Sequence, residues 1–240
     1  MKTKLYMIQI LVFSVAIFSF TSCDFKPLEG NKVITKKEFQ IKDFNKIEVG
    51  GYYNIILSQG DSPKLVVETD ENLMEYIDVK VSSSKLKIKN KRSIIGSNGI
   101  TIYLTFNKLE QIIATGFVSL SSADKLNFDK LKMDISGKSE IGMNINCVEL
   151  KSKFYGNSII TLTGTALNSE VSASGNTSLS ASEMLFDNLK LDVSGNALAK
   201  VNVISNFDVS IKGNAQVEYQ GTPEMKQEIS GSGAIIKKYY

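Results

Sequence analysis

The chain has 240 residues, 28 Lys and Arg against 25 Asp and Glu, and no histidine. A net charge of +3 leaves no basic footprint for nucleic acid, and Arg92, the single arginine, offers no set of guanidinium forks for phosphate. Without imidazole, Ser-His and Cys-His catalysis and histidine-bound zinc are excluded.

At the amino terminus, Lys2 and Lys4 precede an apolar run from Leu5 to Phe20. The run is short for a membrane span and is flanked like a secretory signal. Phe20-Thr21-Ser22-Cys23 reads as a bacterial lipobox, so residues 1–22 are expected to be removed and Cys23 to become the acylated first residue. Two or three acyl chains, at about 0.8 kcal/mol per buried methylene, anchor stably. Loss of residues 1–22 removes two lysines and no acid, leaving a net charge of +1 (26 − 25), and Cys147 then has no second free thiol for an intrachain disulfide. Residues 23–37, with Pro27, Gly30 and mixed charges, read as a tether. The expected location is the bacterial outer membrane, facing the periplasm or the cell exterior.

Residues 38–240 read as one domain. In its less regular part, 38–110, Ile47, Val49, Tyr53, Ile55 and Leu57 alternate around Gly51. Further strands are predicted at Lys64–Glu68, Ile77–Val81, Lys85–Lys89 and Ile100–Phe106, with a helical turn at Glu71–Tyr76 and a pattern-breaking loop over Asn90–Gly99. This part is either a set of wider rungs or a capping sheet continuous with the carboxy-terminal coil.

Residues 111–240 are periodic. Gly116, Gly137, Gly156, Gly175, Gly195, Gly213 and Gly231 are separated by 21, 19, 19, 20, 18 and 18 residues. Such a period marks a stacked repeat. Two positions before the glycines stand Ala114, Ile135, Phe154, Ala173, Val193, Ile211 and Ile229; four after stand Leu120, Ile141, Ile160, Leu179, Ala199, Val217 and Ile235. Six before stand Leu131, Leu150, Ser169, Leu189, Phe207 and Met225. Alternation at period two gives strands with one buried face, and the gaps are too short for a crossover helix. The predicted fold is therefore all-β, a right-handed parallel β-helix (solenoid) with rungs of about 18–21 residues and a less regular N-terminal β region. Each glycine marks a corner in left-handed conformation. Asn157, Asn176, Asn196 and Asn214 follow four of these corners, positioned for an amide ladder along the stack.

Candidate chemistry is sparse. Cys147 shares a column, nine before the glycine, with Phe128, Ala166, Phe186 and Ile204, and so reads as a buried, inert thiol. Asp134, Asp192 and Glu228 share the position three before it, yet rung spacing puts Asp134 and Asp192 about 14 Å apart, too far for a glycosidase pair. No metal site and no cofactor is expected. One before the glycine lies a hydroxyl-rich face, Thr115, Ser136, Tyr155, Ser174, Ser194, Lys212 and Ser230. Tyr52, Tyr155 and Tyr219 are the candidate ligand-stacking residues. At the last rung, 234–240, three fates are open: repulsion by Lys237 and Lys238, cover by Tyr239 and Tyr240, or docking of a second copy.

The segment Phe44-Asn45-Lys46-Ile47-Glu48-Val49-Gly50-Gly51-Tyr52-Tyr53-Asn54-Ile55, the Gln59-Gly60-Asp61 turn and the later Ser-Gly-Asn repeats resemble the "putative auto-transporter adhesin, head GIN domain" family over residues 38–236. The resemblance implies a right-handed β-helix on an exported lipoprotein and supplies no catalytic residue. The expected function is a non-catalytic envelope binding module, adhesin-like, presenting repetitive polar faces to glycan or protein, with a homodimer through the solenoid end as a further expectation. Two alternatives stand beside it. One is a carbohydrate-active β-helix enzyme, a polysaccharide lyase or hydrolase using surface carboxylates; the other is a structural or signalling-associated envelope component.

Overall fold

The computed structural model describes residues 27–95, 97 and 99–239. Cys23 and the signal sequence lie outside them. Alternating apolar residues produce an all-β fold whose helical content is one 3-10 turn, Glu71–Tyr76, among the described residues. The strands, in chain order, are β1 (Leu28–Glu29), β2 (Ile34–Phe39), β3 (Lys46–Gln59), β4 (Lys64–Asp70), β5 (Ile77–Ser82), β6 (Lys85–Asn90), β7 (Ile94–Ile95) and β8 (Thr101–Phe106). They continue with β9 (Gln111–Ser122), the long bending run β10 (Leu126–Gly195), β11 (Leu198–Gly213), β12 (Gln216–Gln220), β13 (Glu224–Gly231) and β14 (Ala234–Lys237).

The main sheet is mixed and open. Its order is β14-β12-β11-β10-β9-β3-β8-β4-β2, with β13 on β11 and the β5–β6 pair on β3. Pairing is parallel through the repeats and antiparallel at the amino-terminal end, where β2 joins β4, β4 joins β8 and β5 joins β6. The irregular part is thus a mixed sheet continuous with the repeats. Part of the segment read as a tether is folded: β1 pairs with β7, a short strand inside the segment read as the pattern-breaking loop, and β2 is hydrogen-bonded to β4.

Glycine corners fall on one another. Gly51 pairs with Gly116, Gly116 with Gly137, Gly195 with Gly213 and Gly213 with Gly231. Their φ values lie between +81° and +142°, a region that side chains with a β-carbon rarely adopt. A Cβ at Gly156 would lie 2.5 Å from the carbonyl oxygen of Gly137, and one at Gly175 would lie 2.6 Å from that of Gly156. The glycine is therefore required twice, by its own backbone angle and by the backbone beneath it.

The inward columns follow. Ile135, Phe154, Val193 and Ile211 are buried, as are Leu120, Ile160, Ala199 and Val217. Two after the corner, Ser139, Ser158 and Thr177 also point inward; the Ser139 hydroxyl donates to Ser158 at 2.8 Å and the Thr177 hydroxyl to the Ser174 carbonyl at 2.9 Å. These bonds offset the cost of burying hydroxyls.

Three column assignments fail. Ile204 is 52% exposed because Phe186 is paired with Val203: a register shift puts one extra residue between Val203 and Asn206 relative to Phe186 and Asn188, which moves the inward position back by one. Met225 and Ile229 are 40% and 45% exposed although their partners Phe207 and Ile211 are buried. β13 is exposed along its whole length because no described strand lies on its far side.

Glu48 joins β3 to β6 by accepting from Lys85 at 2.8 Å and from Lys87 at 2.5 Å. Hydrogen bonds from these lysines hold its carboxyl down from an ordinary 4.5 to about 2. The folded carboxyl is depressed, so the stabilisation is present above the ordinary carboxylate range and is lost as pH falls from about 4.5 towards 2.

Two outcomes are expected. Gly156→Ala should lower stability by about 2 kcal/mol or more, whereas Gly142→Ala, with an open space around its Cβ, should stay within about 0.5 kcal/mol of wild type; equal urea midpoints would refute the corner constraint. Glu48→Gln should cost about 1 kcal/mol at neutral pH, reduced by partial exposure, and should flatten the acid limb of stability between about pH 4.5 and 2. Denaturant titrations across that range measure both effects, and an unchanged acid limb contradicts the assignment.

Candidate functional site

Each corner exposes the residues on either side of its glycine, because the inward positions are two before and two after. The column one after the corner reads Tyr52, Phe117, Lys138, Asn157, Asn176, Asn196 and Asn214. Parallel pairing sets Phe117 beside Tyr52 and Lys138 beside Phe117. Tyr52 is 59% and Phe117 53% exposed, with ring centroids 5.7 Å apart and planes inclined by 35°. The Lys138 ammonium stands 5.7 Å from the Phe117 centroid, within cation–π reach. Beyond it the Asn176 amide donates to the Asn157 amide oxygen at 3.0 Å.

The amide ladder does not run uniformly. At Asn196 and Asn214 the chain leaves the strand, and it is their backbone N–H groups that reach the Gly175 and Gly195 carbonyls, each at 3.0 Å. Tyr52, Phe117, Lys138, Glu140, Asn157 and Ile159 border a shallow depression of about 290 Å³. Ile159, three after its corner, is exposed and forms the far wall.

The three predicted tyrosines do not assemble. Tyr155 lies across the corner on the hydroxyl-rich column and borders a separate depression of about 200 Å³ with Ser174, Asp192, Ser194 and Lys212. On the same column the Ser136 hydroxyl donates to Thr115 at 3.2 Å. Tyr219 is half-buried, its ring 5.7 Å from Phe207, and it packs against the core rather than joining an exposed face. Tyr53 is buried, and its hydroxyl donates to Asn90; burial, aided by the charge of Asp78, raises its pKa.

Sequence reasoning missed Phe117, Lys138 and Ile159. The first two occupy the column whose asparagines were recognised, two and one repeats before Asn157, so extending that column towards Gly51 would have found them. It also missed a second polar ladder ten positions before the glycines. The Asn146 amide donates to Asn127 at 3.1 Å and the Thr165 hydroxyl donates to Asn146 at 3.0 Å. Gln59 closes it by bonding the Asn127 backbone through both amide atoms, at 3.1 and 2.9 Å. This ladder lines an open groove of about 850 Å³ whose rim carries Lys108, Glu110, Asp129 and Lys130.

Cys147 lies at the base of that groove and is buried; its thiol donates to the Glu149 carbonyl at 3.1 Å. Burial pushes its pKa up to about 11, so it is protonated at neutral pH. Three of the carboxylates are engaged by lysines, Asp134 with Lys132 at 3.1 Å, Glu149 with Lys130 at 3.0 Å and Glu170 with Lys151 at 3.0 Å. The Lys151 hydrogen bond holds Glu170 below its ordinary range.

Residues 43–223 match the family described as "Putative auto-transporter adhesin, head GIN domain". No curated protein matches the chain. A crystal structure of a putative adhesin from Bacteroides fragilis is similar at TM-score 0.82 and 20% identity, over 88% of this chain and 100% of the other. A putative lipid binding protein from Parabacteroides distasonis is similar at TM-score 0.73 and 22% identity, over 89% and 100%. A putative adhesin from Parabacteroides merdae is similar at TM-score 0.66 and 21% identity, over 88% and 99%. At these identities the likeness is one of fold.

Proposed function

The chain belongs to the putative auto-transporter adhesin, head GIN domain family, and on that premise we propose that it is a non-catalytic binding module of the bacterial cell envelope that holds an extended glycan along the corner column. The observation that carries the reading is the exposed Tyr52–Phe117 pair continued by Lys138 and the Asn157–Asn176 amides. Aromatic faces accept the C–H faces of sugar rings, amides donate to and accept from hydroxyls, and an ammonium donates to them. Strand spacing repeats these groups about every 4.8 Å, so a polymer gains from several weak contacts at once. The depression is shallow and open, which suits a chain lying across it better than a small molecule enclosed within it.

Two further parts complete the proposal. The repeats over residues 111–240 wind as a right-handed parallel β-helix; in support, parallel registers join positions 17 to 21 residues apart, corner upon corner. The module is an outer-membrane lipoprotein acylated at Cys23; in support stand the charged start, the apolar run and the small residues before that cysteine.

On a glycan array the purified protein is expected to bind a defined set of polysaccharides. Phe117→Ala should weaken that binding about tenfold, 1.4 kcal/mol, with an unchanged melting temperature because the ring lies outside the core. Binding that is indifferent to Phe117, or release of products from a polysaccharide, would overturn the reading. Separately, Cys23→Ala should move the protein from the membrane to the soluble fraction on cell fractionation, and continued membrane association contradicts acylation at that residue.

A further inference from the structure

The exposed edge strand β13 is complementary to itself. It runs Glu224-Met225-Lys226-Gln227-Glu228-Ile229-Ser230-Gly231, pairs with β11 on one side and has no described strand on the other. Its apolar residues Met225 and Ile229 extend the inward columns of Phe207 and Ile211 yet stay exposed. If β13 meets a second β13 antiparallel about Gln227, Met225 falls opposite Ile229, and Lys226 falls opposite Glu228, each twice by symmetry. Apolar residues then meet on the core face and opposite charges meet on the outer face.

Neighbouring registers fail. A slip of two residues sets Lys226 against Lys226 and Glu224 against Glu228, and a slip of two the other way sets Glu228 against Glu228. A slip of one residue turns the apolar face of one strand against the polar face of the other. One alignment thus satisfies both faces.

The lysines that could blunt this end are engaged elsewhere. Lys238 lies 3.6 Å from Glu218, and Lys237 lies over the Tyr239 ring. At the opposite end of the sheet, the apolar residues of edge strand β2, Ile34 and Phe39, lie an odd number of positions apart and so fall on opposite faces, where they cannot both meet Met225 and Ile229. A head-to-tail stack is therefore disfavoured, and a two-fold pairing through β13 closes.

We propose that two copies of this chain join end to end through β13, antiparallel and centred on Gln227, so that each covers the other's Met225 and Ile229. The pairing is independent of glycan binding. Because β2 and β13 stand at opposite ends of the sheet, the two amino-terminal ends point away from each other.

Disulfide trapping of the full chain in membranes from expressing cells tests the register. Gln227→Cys, which sits on the two-fold axis, is expected to give a dimer on a non-reducing gel after mild oxidation. Ser230→Cys, which faces Glu224 of the other copy, is expected to remain at the background set by the wild-type chain with its native cysteines. In the Gln227→Cys background, Lys226→Glu should reduce the dimer about tenfold, and the Lys226→Glu/Glu228→Lys exchange should restore it. Far-UV circular dichroism of each variant checks that the fold is retained. Equal dimer from Gln227→Cys and Ser230→Cys, or an exchange that fails to rescue, would sink the proposal; in neither case is the glycan reading affected.

Discussion

The close contact of one glycine with the carbonyl of the glycine one repeat earlier governs this molecule. At Gly116, Gly137, Gly156 and Gly175 the approach leaves no room for a β-carbon, and the positive φ would reject one even in open space. With both demands met at each corner, the chain turns at the same place in every repeat. The strands on either side then fall into parallel register, and the apolar positions two before and four after align into continuous buried columns. The exposed columns are the counterpart of the same geometry, since whatever stands beside the glycine is thrust outward.

Much of this was legible in the sequence because glycine spacing and period-two alternation report backbone requirements directly. The strands over Lys64–Asp70, Ile77–Ser82 and Lys85–Asn90 and the turn over Glu71–Tyr76 fell where the pattern placed them. Partnership was not legible. Nothing in the alternation of β4 says that it runs antiparallel to β8, or that β1 closes on β7. Two further corners also escaped notice. A Cβ at Gly164 would lie 2.1 Å from the Ile145 carbonyl and one at Gly221 would lie 2.0 Å from that of Val203, but these glycines do not recur in every repeat and so leave no period.

The errors have a common cause. A column read from sequence assumes that every repeat has the same length and that each is covered by the next. Ile204 breaks the first assumption, as an extra residue between Val203 and Asn206 shifts the inward position to Val203. Met225 and Ile229 break the second. For the candidate site the same logic works in reverse: the asparagine column was visible because identical residues recur, whereas Tyr52, Phe117 and Lys138 stand in it as unlike residues and were not connected until pairing showed them adjacent.

The corners also set an order of assembly. Successive glycines from Gly116 onward are 18 to 21 residues apart, but Gly51 pairs with Gly116 across the whole of β4 to β8. Closing a loop more than three times longer costs only about 1 kcal/mol more in chain entropy, since the penalty grows with the logarithm of length. The rate suffers more, because contacts of high sequence separation are slow to form. Nucleation is therefore expected among the short carboxy-terminal closures. A chain emerging amino terminus first would then keep its earliest residues waiting, a delay during which a chaperone would have an unfolded segment to hold.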